Sequence, residues 1–337
     1  MRNITLRALR RSHSIAQVIW QHPKFQLYMR WFLTVVALSY ITWSLWHEAI
    51  WREALTTTWP TSVWWSLGIA LALLPLNLFL EVKKWHTLIR SSFPGFRQKT
   101  AWAGVIAGSA TGIFTPNRIG DYAGRLMFLP RSQHVFAAIY TFVSRIAQMG
   151  ATLLLGCIAL VSLVIHEGQI SWAGTYQPWL LGLTITFTTG ATLAFLFPQL
   201  GLRWLHALPW KKGVVGQAIE AITELSPNTI RKVWGLAVIR GAVFIAQFAV
   251  LMLGWIPDAS FLEASVLVSM VLLLKSVVPS VALAELGVRE SVALLIMGAV
   301  GWAATPIVMG TFSLYLINLI LPALLGLVWL IRKPERH

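Results

Sequence analysis

The sequence predicts an all-helical protein that crosses a membrane several times. Of its 337 residues, 57% are hydrophobic and only 12% are charged, and the mean hydropathy is +0.68. Several apolar runs approach twenty residues, the length that a helix needs to cross a hydrocarbon core of about 30 Å. These observations argue against a water-soluble globular protein.

Six apolar segments are long enough to span the membrane. They cover residues 30–46, 61–80, 138–165, 178–197, 234–254 and 305–331. Two further apolar stretches, 101–115 and 264–278, each run into a cluster of proline, glycine and charged residues. As helices they reach only about 23 Å, which predicts partial crossings.

Loop charges predict the orientation, because Lys and Arg gather on the cytoplasmic side. Residues 1–29 are basic without an acid and lack the features of a cleaved signal peptide, so we expect a cytoplasmic N-terminal segment. The other regions that are basic on balance, and so cytoplasmic, are 81–100, 198–233 and the C-terminus. Those that are acidic on balance are 47–60, 166–177 and 255–263. The net charge of +15 thus has a topological explanation without nucleic acid.

This orientation makes each short stretch part of a re-entrant helical hairpin. Residues 101–137 are expected to enter from the cytoplasm and return to it, and residues 264–304 to enter from outside and return there. The chain then reads as two repeats, 30–165 and 166–337, with opposite topology. Transporters built from inverted repeats bind substrate at the repeat interface near the midplane.

Charged side chains at the two hairpin tips are the candidate site. Lipid offers no hydrogen bonds, so irregular backbone and ionised groups at membrane depth belong against protein or a water-filled cavity. Proline suits a tip because it removes a backbone donor and disfavours helix in the residue before it. The first tip contributes Pro116, Arg118, Gly120, Asp121 and Arg125, and the second Pro279, Glu285, Gly287, Arg289 and Glu290.

The segments FTPNRIGDYAGR and VVPSVALAELGVRE resemble the two signature segments of the lysylphosphatidylglycerol synthase transmembrane-region family, which are flippase-like integral membrane proteins. The family patterns run approximately Thr-Pro-Gly-Arg-x-Gly-Glu and Pro-Ser followed by Gly-x-Arg-Glu. This sequence departs from them at Asn117, Asp121 and Ala284-Glu285. In the fused enzymes of that family, the membrane region resembles a translocator of aminoacylated phosphatidylglycerol. The resemblance implies that this chain is a stand-alone lipid translocator in the inner membrane, without the synthase domain, while the loop charges predict that both termini are cytoplasmic.

We expect Arg118, Arg125 and Arg289 to bind a headgroup phosphate, because a guanidinium can donate two parallel hydrogen bonds to it. Asp121, Glu285 and Glu290 are expected to orient these arginines, contact a cationic headgroup or carry protons. Arg145 and Lys275 join the substrate-binding set. For Arg145 and Gln148, which lie about two to three turns into their helix, bonding to a neighbouring helix is equally open. For the arginines, structural ion pairing remains an alternative to substrate contact. Arg240 is expected to snorkel to the interface, and Asn77 and Asn318 to bond neighbouring helices.

Two other classes of function stay open. A membrane transferase acting on lipid-linked phosphate substrates could use Asp121 and Glu285, although we find no Walker loop, HExxH, GxSxG or CxxC motif. A non-transporting assembly factor is the other alternative. We expect no enzyme, no cofactor and no metal site, and the single cysteine, Cys157, reads as an inert core thiol. The expected partners are a lipid phosphate and the membrane, and a homodimer is compatible with the sequence.

Overall fold

A computed structural model describes residues 59–113, 115, 118–167, 177–199, 213–277 and 285–331, without the side chains of 166, 167, 177, 180, 213–215, 277, 285–287 and 331. Within these ranges the secondary structure is helical and contains no strand. The predicted N-terminal segment 1–29 and the span 30–46 lie outside them.

The described helices follow one another with short connections. They are α1 (Thr61–Ser92), α2 (Gln98–Gly112), α3 (Gly120–Leu126), α4 (His134–Glu167), α5 (Gln177–Leu196), α6 (Gly213–Thr223), α7 (Pro227–Trp255), α8 (Phe261–Val277), α9 (Glu285–Ala299), α10 (Ala304–Tyr315) and α11 (Leu321–Ile331). A single 3-10 turn precedes α4, and a π-helical turn, Leu316–Ile320, joins α10 to α11.

Four helical segments of the described chain are long and apolar enough to cross a membrane, which confirms a helical membrane protein. They are Thr61–Ser92, Arg131–Ile165, Pro227–Trp255 and Ala304–Leu330, and they contain four of the predicted spans. Another predicted span, 178–197, forms a helix whose apolar part, Leu181–Leu196, is shorter than these four segments. The described residues therefore contain four candidate spans, whereas the sequence predicted six over the whole chain.

The two central helices, α1 and α7, pack against each other and run antiparallel. The Ser62 hydroxyl donates to the Gly254 carbonyl at 2.7 Å, and the Gln247 amide donates to the Ala70 carbonyl at 2.7 Å. Later residues of α1 thus contact earlier residues of α7. Consequently the end of α1 and the beginning of α7 lie at one end of the bundle.

The two ends of this helix pair differ in chemistry. One end carries the exposed basic residues Arg90 and Arg231. At the other end the rings of Trp59 and Trp255 are 5.5 Å apart. Basic residues on one side and tryptophans at the interface are typical of membrane proteins, and the arrangement matches the predicted orientation of these two helices.

Helices α2 and α3 contact each other and form a helical hairpin. The hairpin begins and ends at the basic end, because the rings of Phe93, before α2, and Phe136, after α3, are 5.8 Å apart. Helices α8 and α9 likewise contact each other. Ile307, near the start of α10, shares a core cluster with Leu251 near the end of α7, so this second hairpin begins and ends at the tryptophan end.

The hairpins make reciprocal contacts. Helix α2 of the first hairpin packs on α11, the last helix of the chain, where a side chain at Gly326 would collide with the Ile106 carbonyl. Helix α8 of the second hairpin packs on α4, where a Cβ at Gly156 would stand 2.7 Å from Leu273. Each hairpin therefore packs against the long helix that follows the other one.

Candidate functional site

The tight first hairpin depends on small residues, as the run from Ala107 to Gly112 predicts. A Cβ at Gly108 would collide with the Asp121 carboxylate, and one at Gly124 would stand 2.6 Å from the Ala107 carbonyl oxygen. Gly120 lies directly against the Thr111 carbonyl. Glycines on both arms thus allow the two backbones to approach closely, which places the Asp121 side chain inside the bundle.

Two threonine hydroxyls close the hairpin. Thr111 Oγ1 donates to the Gly120 carbonyl at 2.6 Å, while the Gly120 amide donates to Thr115 Oγ1 at 2.7 Å. These bonds satisfy backbone groups that the break between α2 and α3 leaves without helical partners. They link the end of α2 to the start of α3, and Arg118 lies beside this link at the inner end of the hairpin.

Arg118 adopts a left-handed backbone conformation, with φ of 54°. This conformation is uncommon for a residue with a Cβ and is found where surrounding structure holds it in place. The Arg118 carbonyl accepts a hydrogen bond from Arg145 Nη2 at 3.1 Å. At about 1.5 Å per residue, Arg145 lies roughly 16 Å along α4 from His134, so the tip is anchored deep within the bundle.

A buried ion-pair network ties the hairpin to α1 and α4. Arg125 Nε contacts Asp121 Oδ1 at 2.8 Å, and Arg125 Nη2 contacts Glu81 Oε1 at 2.8 Å. Arg145 Nη2 contacts the other Asp121 oxygen at 2.8 Å, and Lys84 Nζ contacts Glu81 at 2.9 Å. Two carboxylates thus bind cations from three elements of the fold.

The remaining cation of this network comes from α7. Arg240 Nε lies 3.4 Å from Glu81 Oε2, and Arg240 Nη1 donates to Gln148 Oε1 at 3.0 Å. The same Gln148 oxygen accepts from Lys84 at 3.1 Å. The expectation that Arg240 snorkels to the interface is wrong, because a carboxylate and an amide inside the bundle provide its partners.

The carboxylate of Asp121 lies between two guanidinium groups, at 2.8 Å from Arg125 and 2.8 Å from Arg145. Opposite charges at hydrogen-bond distance favour the ionised form of a buried carboxyl group. Among the roles predicted for this residue, orienting the arginines fits the geometry. The proton-carrying role stays a prediction.

Two connected chambers lie between the hairpins. The central chamber, of about 270 Å³, is lined by Arg118 at the first tip, Lys275 and Arg289 from the second hairpin, and Arg240 from α7. The hairpin chamber, of about 340 Å³, is lined by the ion-pair network. Arg118, Gln148, Arg240 and Asn318 border both, so the two chambers form one polar interior.

Amide side chains bridge the helices beside the chambers. Asn77 Nδ2 donates to Asn318 Oδ1 at 3.1 Å and lies 3.4 Å from Gln247 Oε1. The helix-bonding role expected of Asn77 and Asn318 is confirmed, and both also line the central chamber. Arg145 and Gln148, for which site lining and helix bonding were both open, do both.

The structure brings together six of the predicted site residues. Those lining the two chambers are Arg118, Asp121, Arg125, Arg145, Lys275 and Arg289. Glu290 follows Arg289 on α9, is half-buried and is not among the described lining. The side chains of Glu285 and Gly287, and all of Pro116 and Pro279, lie outside the described residues.

Sequence reasoning missed Glu81 and Lys84 as site residues. The apolar window of the first described span ends at residue 80, so these charges were assigned to a cytoplasmic loop, whereas α1 continues to Ser92. Lys84 is 1% exposed. The signal was available in the spacing, because Asn77, Glu81 and Lys84 recur at helical intervals that place them on one face.

The described site suits the binding of an anion. No group of three metal-binding side chains occurs among the residues that the structure describes. Both carboxylates that line the chambers, Glu81 and Asp121, contact basic groups, whereas guanidinium and ammonium groups line both chambers. Comparisons with family models, curated proteins and solved structures found no match to this chain.

Proposed function

We propose that the protein is a lipid translocator, which moves a phosphate-containing headgroup across the inner membrane through the chambers between its two hairpins. The observation that carries this proposal is the convergence of Arg118, Lys275 and Arg289 on the central chamber. These residues come from hairpins that begin at opposite ends of the bundle. A site reached from both ends at its middle is what alternating access requires.

The reciprocal packing of the hairpins supports an inverted repeat. Exchanging α1 with α7, the first hairpin with the second, and α4 with α10–α11 maps the contacts among these elements that involve the hairpins onto one another. Thus the contact of α2 with α11 corresponds to that of α8 with α4. On this proposal the hairpins are re-entrant, the termini are cytoplasmic, and segments 30–46 and 178–197 complete six spans.

The distribution of polarity suits a lipid substrate. The chambers are charged, while large apolar side chains such as Phe142, Phe187 and Trp329 are exposed on the surface of the described helices. An isolated charge at the centre of a bilayer costs about 2.5–3.5 kcal/mol on insertion scales, so a headgroup needs a polar route. Cations within the bundle supply that route, and the tails remain in hydrocarbon.

Leaflet exchange in reconstituted vesicles tests the proposal. Purified full-length protein is placed in vesicles that contain a fluorescent phospholipid, and the fraction of label accessible to an external quencher is followed. We expect accessible label to rise well beyond the one-leaflet value of protein-free vesicles. The protein with Arg118→Gln and Arg289→Gln is the matched control, since it removes two chamber cations.

The same vesicles separate the other functions by mass spectrometry of their lipids. A translocator leaves every lipid chemically unchanged. Conversion of a lipid phosphate into a new product would instead identify a transferase. Vesicles without exchange and without conversion, at preserved thermal stability of the protein, would contradict the proposal and favour an assembly role.

A further inference from the structure

The chambers contain more basic groups than acidic ones. Two carboxylates, Glu81 and Asp121, line them. The basic groups are Lys84, Arg118, Arg125, Arg145, Arg240, Lys275 and Arg289. Even when Glu285 and Glu290 of α9 are added to the acids, the basic groups outnumber them by three.

The carboxylates are also engaged. Glu81 binds Lys84, Arg125 and Arg240, and Asp121 binds Arg125 and Arg145, so each of these two carboxylates already contacts at least two cations. An ammonium group entering the chambers would compete with guanidinium groups at 2.8 Å from the carboxylates. It would also approach the excess of cations inside the bundle, where charges are screened less than in bulk water.

An anionic headgroup would offset the net positive charge of the chambers. Arg125 Nη1 is buried and has no hydrogen-bond acceptor among the described residues, in a side chain that is 4% exposed. A phosphodiester brings a single charge. A phosphomonoester brings nearly two at neutral pH, together with three acceptor oxygens, and so matches several converging donors better.

We infer that the chambers select a headgroup with at least two negative charges and no ammonium group, which is the chemistry of a phosphomonoester or a pyrophosphate. The inference rests on the proposed function, because it takes the chambers as the headgroup site. It differs from what the family resemblance implies, since an aminoacylated phosphatidylglycerol carries an ammonium group. The surplus positive charge disfavours such a headgroup.

Binding of short-chain lipids to the purified full-length protein tests this selectivity. Dioctanoyl phosphatidate, phosphatidylglycerol and phosphatidylethanolamine are compared at pH 7 by native mass spectrometry or calorimetry. We expect phosphatidate to bind at least about tenfold more tightly than phosphatidylglycerol, and phosphatidylethanolamine to bind more weakly than both. Equal or tighter binding of phosphatidylethanolamine, or of lysyl-phosphatidylglycerol, would overturn the inference.

Acidity provides an independent readout, because the second ionisation of a phosphomonoester occurs near pH 6. Lowering the pH from about 7 to 5 should reduce the advantage of phosphatidate over phosphatidylglycerol several-fold. The titratable groups facing the chambers are Glu81 and Lys84 of α1, Asp121 of the first hairpin, Lys275 of α8 and Tyr315 of α10, beside arginines from four elements. No histidine is among the described lining residues. An unchanged preference would show that the second charge is not recognised.

Variants assign the preference to the chambers. Arg240→Gln and, separately, Lys275→Gln should each weaken phosphatidate binding more than phosphatidylglycerol binding, reducing the preference at least about threefold. Lys232→Gln, on the exposed start of α7, is the control and should retain the wild-type preference. A preference that neither chamber variant changes, in protein that remains folded, would place the selectivity elsewhere and overturn the inference.

The outcomes for binding and for transport are distinguishable. Selective binding of phosphatidate without leaflet exchange would support the charge selectivity and contradict the translocator. Exchange of ammonium-containing lipids between the leaflets would support the translocator and contradict the charge selectivity. Inorganic pyrophosphate that binds as tightly as phosphatidate would support the charge selectivity and identify a soluble anion as its source, contrary to the proposed function.

Discussion

Arg118 combines a side chain that lines the chambers with an unfavourable backbone conformation. Its φ of 54° costs a residue with a Cβ about 1–2 kcal/mol relative to glycine. Its side chain borders both chambers, and its backbone carbonyl accepts a hydrogen bond from Arg145. Position 118 therefore offers a way to separate the fold from the site.

We expect Arg118→Gly to abolish most leaflet exchange while leaving the protein about 1 kcal/mol more stable than Arg118→Ala. Both variants lack the guanidinium and differ only in tolerance of the left-handed backbone. Thermal unfolding in one detergent, beside the vesicle assay, measures both properties. An alanine variant as stable as the glycine variant would show that the turn is not strained in solution.

Glu81 is the acid with the most cationic partners in the described network. Its neutralisation leaves Lys84, Arg125 and Arg240 with less counter-charge inside the bundle. Removing one member of a buried ion pair typically costs about 3–5 kcal/mol. We therefore expect Glu81→Gln to lower the free energy of unfolding by about this amount.

The control for Glu81→Gln is Glu220→Gln, on the exposed surface of α6. This substitution should change the stability by less than about 0.5 kcal/mol, as surface substitutions usually do. Chemical unfolding of the detergent-solubilised protein compares the two. Similar stabilities of the two variants would mean that the Glu81 network does not hold the hairpin in place.

At the scale of elements, the first hairpin depends on backbone contact between its arms. A Cβ at Gly124 meets the carbonyl group of Ala107 at 2.6 Å, and a backbone group cannot move aside cheaply. We expect Gly124→Ala to destabilise the protein by about 1–3 kcal/mol through overpacking. Thermal unfolding and the vesicle assay should both show the defect.

Gly68 provides the matched control within α1. A Cβ there meets nothing within 4 Å, so Gly68→Ala should be neutral or raise the stability by up to about 1 kcal/mol through helix propensity. If Gly124→Ala also proves neutral, the arms of the hairpin are farther apart than the structure shows. The buried position of Asp121 would then need another explanation.

At the scale of the whole molecule, the topology makes a prediction for four exposed positions. In a Cys157→Ser background, cysteines replacing Lys99 and Arg131 should react with an impermeant maleimide only from the cytoplasmic side. Cysteines replacing Ser260 and Ala303 should react only from outside. Each pair flanks one hairpin, and a re-entrant hairpin leaves the membrane on the side from which it entered.

Labelling of Lys99→Cys and Arg131→Cys from opposite sides would mean that α2 and α3 cross the membrane. The inverted repeat would then be wrong. Leaky vesicles are excluded by Lys232→Cys, which lies at the basic end and should label only from the cytoplasmic side. Each pair is compared by the side of the membrane from which the cysteines react and not by how fast they react. Differences in the exposure of the cysteines therefore do not affect the result.

The sequence predicted much of this arrangement because hydropathy and loop charge report on the bilayer directly. The helices over 138–165, 234–254 and 305–331 were found in this way, as was the convergence of Arg118 and Arg289. Hydropathy did not identify the charged residues that lie inside the bundle. Glu81 and Arg240 are charged residues within long helices whose partners come from distant segments, and a one-dimensional window does not contain those partners.

Replacing Arg118 and Arg289 separately with lysine tests the central claim most directly, because lysine keeps the charge and loses the two-pronged donor that binds phosphate. Leaflet exchange and thermal unfolding are measured on the same preparations. We expect exchange to fall at least about tenfold while stability stays near that of the wild type. Normal exchange in both variants, or loss of exchange only in proportion to loss of fold, would show that these arginines support the structure and that the chambers are not the headgroup site.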